Sequence, residues 1–232
     1  MRANLTINAK REAKIRIIGL NYAYICPLLH STGPMETTLL QDIIQFDRQA
    51  TLLLNAQGSV WSDPLWQFLS GSVIWFVLCA AMAAYLFFRL GWRKALVAVG
   101  ACILAFLLCE NVSHLIKHGL ERLRPCWDEE MLAAGLRVLE GKGHQFGFFS
   151  AHAANAAALA MCSLLCLHSD RSRPYTGYAW LAFTLAFLIG MSRVFVGKHF
   201  LGDVLIGFIA GLLFGWLSGL VGARLCALSM HR

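Results

Sequence analysis

The sequence predicts an all-α integral membrane protein, a helical bundle of about five transmembrane helices with an N-terminal amphipathic helix at the membrane surface. Of its 232 residues, 58% are hydrophobic and only 14% are charged, and the mean hydropathy is +0.59. A typical soluble domain carries about 25% charged residues. An ordinary soluble globular protein and a disordered chain are therefore both disfavoured.

Five apolar segments each approach the roughly 20 residues that a helix needs to cross a bilayer. They lie near residues 68–88, 95–116, 151–168, 176–192 and 201–223. In the last segment, the small residues between Gly202 and Gly222 are expected to allow close packing against a neighbouring helix.

The segment before the first span is predicted to form an amphipathic helix over residues 37–55. Its hydrophobic residues recur at helical spacing, and charged residues occupy other positions. The hydrophobic positions are Leu39, Ile43, Phe46, Ala50 and Leu53. We expect this helix to lie on the membrane surface rather than to cross it.

Residues 1–34 differ from the rest of the chain. They contain five basic residues and one acidic residue, and their apolar run, 17–29, is too short to span a bilayer. We interpret them as a basic extension, with the hypothesis that Met35 is the native start and residues 35–232 form one membrane domain. The net charge of +7 does not indicate a nucleic-acid partner, because most aromatic residues lie inside apolar runs.

Three groups of polar residues stand at the ends of spans that an alternating topology brings to one face of the membrane. Lys117 and Arg124 are seven residues apart, so they share a helix face if the helix continues. Both cations are suited to phosphate oxygens. Ser150 is placed to cap a helix whose N-terminus would bind an anion. Arg193 adds a third cation, which completes a predicted phosphate site.

Two histidines can supply reactivity at this site. His199 and Asp203 are four residues apart and share a helix face. A carboxylate bonded to one ring nitrogen fixes the tautomer and leaves the other nitrogen free to attack. His152, on a different span, is a candidate general acid for the leaving oxygen.

The three groups resemble the signature of the type 2 phosphatidic acid phosphatase superfamily. The first block reads KHGLERLRP at 117–125, the second FSAH at 149–152, and the third SRVFVGKHFLGD at 192–203. The first and third match the signature in full, and the resemblance covers about residues 65–225. Three blocks in the right order form a far more specific signal than any one of them.

The resemblance implies that His199 is a nucleophile that forms a phosphohistidine. Asp203 then orients it, and His152 protonates the leaving group and later activates water. The phosphate oxygens are held by Lys117, Arg124, Ser150, Ala151 through its backbone N–H, and Arg193. The resemblance implies no metal and no other cofactor.

The second block departs from the signature at two positions, with Phe149 for Pro and Ala151 for Gly. Ala151 keeps the backbone N–H, whereas Phe149 is expected to alter the entry of the helix and the lipid-facing wall. Aromatic residues are also candidates to line a path for a lipid tail. They are Trp66, Trp75, Phe148 and Phe149.

The implied activity is hydrolysis of a membrane lipid phosphate or diphosphate. The candidates are undecaprenyl diphosphate, lipid A, phosphatidylglycerol phosphate and phosphatidic acid, with head-group selection expected in the loop 126–149. A non-enzymatic lipid-phosphate binding or transport protein would explain the cations but not the histidines. A vanadate-dependent haloperoxidase has a similar site, but five spans argue against it. The sequence leaves the oligomeric state open.

The distribution of basic residues predicts which face carries the site. Lys and Arg are equally numerous on the two faces, but the site's own cations Lys117, Arg124 and Arg193 all lie on one of them. With these set aside, the positive-inside rule places the long loop 117–150 outside. We therefore expect a bacterial inner-membrane protein with an extracytoplasmic active site.

Two further residues, Glu110 and His114, share the helix face of Lys117. Glu110 could balance the charge of the cationic site, pair with His114, or make a polar contact with another helix. Neither residue is assigned a catalytic role.

Overall fold

The computed structural model describes residues 34–228, which fold into seven α-helices and one short 3-10 helix. The α-helices are α1 (Pro34–Ala56), α2 (Asp63–Ser70), α3 (Ser72–Leu120), α4 (Glu129–Ala133), α5 (Ala151–Leu167), α6 (Thr176–Phe195) and α7 (Leu201–Leu228). The 3-10 helix is Pro125–Trp127. Within these residues there is no β-strand, and the predicted all-α membrane bundle is confirmed. The predicted N-terminal extension lies outside the described residues, apart from Pro34.

The chain divides into two compact units, residues 1–46 and 47–232, and the boundary between them falls inside α1. In the first unit the structure describes only the beginning of α1. Its side chains Leu39, Ile43 and Phe46 are exposed and repeat at helical spacing. The position of this helix at the membrane surface and the predicted domain boundary after residue 34 both stay predictions.

Helix α3 contains both of the first two predicted spans. Its 49 residues would extend about 74 Å if straight, more than twice the thickness of a bilayer core. Gly91 interrupts it with φ 73° and ψ 164°, a backbone conformation that residues other than glycine rarely adopt. The first span, predicted near residues 68–88, begins in the structure at Ser72, because the extended backbone of Gly71 ends α2 before α3 begins.

The other predicted spans agree with α5, α6 and α7 to within a few residues. Helices α3, α6 and α7 are long and apolar enough to cross a membrane, whereas α5 is shorter at 17 residues. Most residues of α5 are buried, since the helix packs against α3, α6 and α7. An alanine-rich helix suits this central position, because small side chains let three neighbours approach it closely.

Helices α5 and α7 are in backbone contact along a row of glycines. A Cβ atom at Gly207 would lie 2.6 Å from the carbonyl oxygen of Ser150, and one at Gly215 would lie 2.5 Å from that of Ala158. The predicted role of small residues in the last span is therefore confirmed. This packing brings the first turn of α7 beside the first turn of α5, where Ser150 donates its N–H to the carbonyl of Asp203 at 3.0 Å.

Candidate active site

His199 lies in the loop between α6 and α7 and is only 2% exposed. Its Nδ1 lies 3.3 Å from Oδ2 of Asp203, a fully buried residue in the first turn of α7. The same Oδ2 accepts the backbone N–H of Phe200 at 3.1 Å. Because the carboxylate engages Nδ1, it leaves Nε2 as the ring nitrogen available for reaction.

The path of the chain to Arg124 differs from the sequence-based expectation. Helix α3 ends at Leu120, and Glu121 takes the left-handed conformation with φ 47°. Lys117 and Arg124 therefore do not share a face of one helix. Arg124 instead follows the helix in an extended segment. Its backbone N–H donates to the carbonyl of Gln145 at 2.9 Å.

Gly147 lies where the first and third sequence blocks meet. A Cβ atom at this position would lie 2.8 Å from Cγ of Arg124, 3.3 Å from Oδ2 of Asp203 and 3.5 Å from Nδ1 of His199. Arg124 is therefore packed beside the histidine–aspartate pair, although 75 residues of chain separate Arg124 from His199.

Arg193, in the last turn of α6, is 6% exposed. Its Nη1 donates to the carbonyl of Ser70 at 3.1 Å and to the hydroxyl of the same residue, and Glu140 lies 3.7 Å away. Its Nε is buried and has no hydrogen-bond partner among residues 34–228. A buried donor of this kind is costly unless an acceptor is supplied, and a phosphate oxygen is a suitable one.

Lys117 stands in the last turn of α3 and is partly buried. It interacts electrostatically with Arg124, Arg193 and Asp203. His152, in the first turn of α5, interacts electrostatically with Arg193 and with His199. The structure thus gathers the predicted cations and both predicted histidines in one place.

The beginning of α5 supplies the helix N-terminus that the sequence predicts. Ser150 caps the helix, with its Oγ accepting the N–H of Ala153 at 3.5 Å, and is fully buried. Ala151 is the first residue of α5, so its backbone N–H is among those that have no partner within the helix. These positions fit a site for an anion.

The charges around His199 set its protonation. Burial, followed by the cations Arg124 and Arg193, holds the pKa of His199 well below its usual range. The imidazole is therefore neutral at pH 7, as a nucleophile requires. Burial also lowers the pKa of Arg124 and of Lys198.

Two further charged residues, to which the sequence assigns no role, lie near the site. Arg122 Nη1 donates to Oδ1 of Asp203 at 2.7 Å. Lys198 is 6% exposed and donates to the carbonyl of Gly141. Arg122 could have been found only with the knowledge that the chain is extended over 122–124, because alternate side chains of an extended segment point the same way.

Glu110 and His114 have separate partners. Glu110 Oε1 accepts a hydrogen bond from Nδ2 of Asn155 at 2.5 Å, which joins α3 to α5. The structure shows the contact between helices, and Glu110 also interacts electrostatically with Lys117 of the cationic site. The ring of His114 lies beside that of His118, with the two Nε2 atoms 3.1 Å apart.

An apolar cavity of about 450 Å³ lies between the first part of α3, α5 and α6. Its lining includes Trp75, Met82, Tyr85, Leu159, Tyr178 and Leu185. Trp75 also contacts His152 edge to face, with ring centroids 5.6 Å apart. The cavity therefore begins beside the candidate site.

Of the four aromatic residues considered for a lipid path, only Trp75 lines this cavity. Trp66 stacks on Phe195 at 4.1 Å, and Phe148 lies beside the guanidinium of Arg122. Phe149 is 2% exposed and packs in the core of the bundle, so the expectation that it alters a lipid-facing wall is wrong.

Comparisons with known proteins agree with this arrangement. The PAP2 superfamily profile matches residues 95–224. Lipid A 4'-phosphatase of Porphyromonas gingivalis is 27% identical over 177 residues, which cover 76% of this chain and 72% of that protein. Lipid A 4'-phosphatase of Bacteroides thetaiotaomicron is 29% identical over 194 residues, 82% of each chain.

Among solved structures, the crystal structure of a transmembrane PAP2 type phosphatidylglycerolphosphate phosphatase from Bacillus subtilis has the same fold. The TM-score is 0.61 with 22% sequence identity, and the match covers 79% of this chain and 87% of that one. The segment matched by the profile contains all three sequence blocks and more than half of the chain. These findings support an enzyme over a non-enzymatic binding protein, and the chain belongs to the PAP2 superfamily as a membrane-bound phosphatase, a phosphoric ester hydrolase.

Proposed function

We propose that this protein removes a phosphate group from a membrane lipid through a phosphohistidine intermediate on His199. The observation that carries the proposal is the buried His199–Asp203 pair, 3.3 Å apart, beside the cation Arg124. A neutral imidazole next to fixed positive charge combines a nucleophile with stabilisation of the transferring phosphoryl group.

In the first step, Nε2 of His199 attacks phosphorus while Asp203 holds Nδ1–H. The N–P bond forms and the bond between phosphorus and the ester oxygen breaks. His152 enters this step as the imidazolium; it gives its proton to the ester oxygen, which leaves as the alcohol, and His152 becomes neutral. The cations Lys117, Arg124 and Arg193, with the N–H groups at the start of α5, neutralise the charge on the phosphoryl oxygens.

In the second step, His152 is neutral and accepts a proton from water as the water oxygen attacks phosphorus. The N–P bond breaks, inorganic phosphate leaves, and His199 returns to its neutral form. His152 is thus a general acid in one half-reaction and a general base in the other. No metal ion enters either step.

Among the four candidate lipids, we propose phosphorylated lipid A as the first to test, because two curated relatives carry that activity by name. The apolar cavity that starts at Trp75 has room for part of an acyl chain beside the site. The excess of basic residues in the loops on the opposite face supports an extracytoplasmic active site in a protein of the bacterial inner membrane.

The test is phosphate release by purified protein from lipid A, phosphatidylglycerol phosphate, undecaprenyl diphosphate and phosphatidic acid, with EDTA present. We expect release by the wild type, with lipid A preferred, and loss of release in His199→Gln. His118→Gln is the matched control, since His118 contacts His114 rather than the site.

Three results would contradict parts of the proposal. An inactive wild type on all four lipids would overturn the lipid phosphatase function. Release by His199→Gln at the wild-type rate would overturn the assigned nucleophile. Release that appears only when a divalent metal is restored would overturn the metal-independent mechanism.

A further inference from the structure

Side chains of the second half of α1 accept hydrogen bonds from backbone N–H groups in the first turn of α7. Oδ1 of Asp47 accepts the N–H of Gly202 at 2.7 Å, and Oγ1 of Thr51 accepts the N–H of Leu201 at 2.9 Å. The Thr51 hydroxyl in turn donates to the carbonyl of Asp47 at 2.7 Å. The first N–H groups of a helix have no partner within it, and here a different helix supplies the acceptors.

Arg122 joins this contact to the candidate site. One guanidinium nitrogen donates to Oδ1 of Asp203 at 2.7 Å, and the other donates to Oδ2 of Asp47 at 2.6 Å. The guanidinium also lies 4.3 Å from the ring centroid of Phe200, which limits its other orientations. Both carboxylates therefore share one planar cation, a geometry that lysine cannot reproduce.

The two oxygens of Asp203 have separate tasks as a result. Oδ1 accepts from Arg122, while Oδ2 faces His199 and accepts the N–H of Phe200. Rotation of the carboxylate would break contacts on both oxygens at once. The hydrogen bond from Arg122 to Oδ1 therefore fixes the orientation in which Oδ2 of Asp203 faces the imidazole.

Asn55, one turn after Thr51, forms hydrogen bonds to the backbone at the end of α6, a few residues before His199. Its Nδ2 lies 3.1 Å and 3.0 Å from the carbonyl oxygens of Val194 and Phe195, at the end of α6. Its Oδ1 accepts the N–H of Arg137 at 2.7 Å, and the residue is 1% exposed. Residues 47–55 of α1 therefore bind both ends of the loop that carries His199.

We propose that Asp47, acting through Arg122, is a positioning residue for the Asp203–His199 pair, an inference that rests on the proposed function of His199. Neither residue touches the reacting atoms. Loss of the Asp47 charge would free the guanidinium and let the Asp203 carboxylate turn. A misplacement of about 1 Å in a reacting group can reduce a rate by about 100-fold.

The same helix offers a control that separates positioning from docking. Arg48, the next residue, pairs with Asp128 and with Glu130. These ion pairs attach α1 to the start of α4 without contact to Asp203. A variant at Arg48 weakens the attachment of α1 but leaves the Arg122 bridge in place.

The test compares kcat and KM of Asp47→Asn and Arg48→Gln with those of the wild type, on the lipid that the wild type hydrolyses. Asn can still accept the N–H of Gly202 but no longer carries the charge that faces Arg122. We expect kcat of Asp47→Asn to fall about 10- to 100-fold with KM within about twofold. Arg48→Gln is expected to keep both parameters within about twofold.

Two further variants make the test decisive. Arg122→Gln is expected to show the same fall in kcat, and the double variant with Asp47→Asn no additional fall, because both changes break one linkage. If Asp47→Asn does not fold, Arg122→Gln alone carries the test, because it breaks the same linkage. A fall in kcat with KM within about twofold supports the inference, and an unchanged kcat overturns it.

The inference is also overturned if folded Asp47→Asn keeps the wild-type kcat. It is likewise overturned if Asp47→Asn and Arg48→Gln lose activity equally and in step with their melting temperatures, since that is the signature of a structural contact. An inactive wild type would instead overturn the proposed function, so the two failures are distinguishable.

Discussion

Nδ1 of His199 and Oδ2 of Asp203 lie 3.3 Å apart, and both side chains are almost fully buried. The four-residue spacing places Asp203 in the first turn of α7, while His199 lies in the loop just before that helix. The aspartate is thus held in a regular helix and faces a histidine that the preceding loop carries. A carboxylate at Nδ1 favours the tautomer with the proton on Nδ1 and leaves Nε2 unprotonated.

Replacement of Asp203 by Asn tests this relationship. The amide can present its NH₂ to Nδ1, which would favour the wrong tautomer and occupy Nε2 with a proton. We expect kcat to fall at least about 100-fold, by analogy with the histidine–aspartate pairs of hydrolases. Steady-state kinetics check this, with the exposed Glu130→Gln as control. A kcat within threefold of the wild type would contradict the assigned role.

Gly147→Ala tests the close approach of the sequence blocks. The added Cβ would lie 2.8 Å from Cγ of Arg124 and 3.3 Å from Oδ2 of Asp203, so one of these side chains must move. We expect kcat/KM to fall about tenfold or more. Gly141→Ala is the control in the same loop, since no atom of the described chain comes within 4 Å of its Cβ. Equal activity of the two variants would count against the packing.

Gly197→Ala is expected to destabilise the loop that carries His199. Gly197 has φ 79°, and a Cβ atom there would lie 2.5 Å from the carbonyl oxygen of Arg137. The backbone strain alone costs about 1–3 kcal/mol in the free energy of unfolding. Thermal unfolding in detergent checks this. In Gly177→Ala the Cβ would meet no atom of the described residues within 4 Å, and we expect an unchanged or slightly raised melting temperature there.

The pH dependence of kcat/KM reports the charge at His199. Burial, Arg124 and Arg193 lower the pKa of His199, so the neutral form persists as the pH falls below 6.5. Removal of a cation raises that pKa, and Arg124→Gln is therefore expected to move the acid limb of the profile to higher pH. The shift relative to the wild type is the quantity to measure, because ionisation of the substrate is common to both. A shift to lower pH would contradict the electrostatic assignment.

The lowered pKa of His199 also affects folding. The folded protein disfavours the protonated imidazole, whereas the unfolded chain protonates it near pH 6.5. The contribution of this group to stability is therefore fully present above about pH 6.5 and is lost as the pH falls towards the folded pKa. Melting temperatures between pH 5 and pH 8 are expected to decrease towards acid, and less so in His199→Gln.

Much of the fold is readable from the sequence because hydropathy and span length are dictated by the bilayer. The alternation of spans then brings Lys117, Ser150 and Arg193 to one face, and the structure places them together. Backbone breaks were harder to predict. Gly91 lies in the interval between the first two predicted spans, 89–94, so that break was predicted. The break at Gly71 was not, because hydropathy is insensitive to a single extended backbone conformation.

The contacts that sequence reasoning missed join residues far apart in the chain. Arg122 binds Asp47 over 75 residues and Asp203 over 81 residues. In the sequence, Arg122 and Asp47 are equally well explained as charged residues exposed to solvent, and no periodicity connects them to each other or to Asp203. The end of α3 at Leu120 was also hidden, since the residues that follow have no glycine or proline before Pro125.

The measurement to make is the detection of phosphate bound covalently to His199 during turnover. His152→Asn, which lacks the base that activates water, is incubated with p-nitrophenyl phosphate, whose leaving group needs no protonation, and quenched in alkali to preserve phosphohistidine. Peptide mass spectrometry should then find the phosphate on His199, and His199→Gln in the same background should carry none. Phosphate on another residue, or continued phosphate release by His199→Gln, would contradict the mechanism.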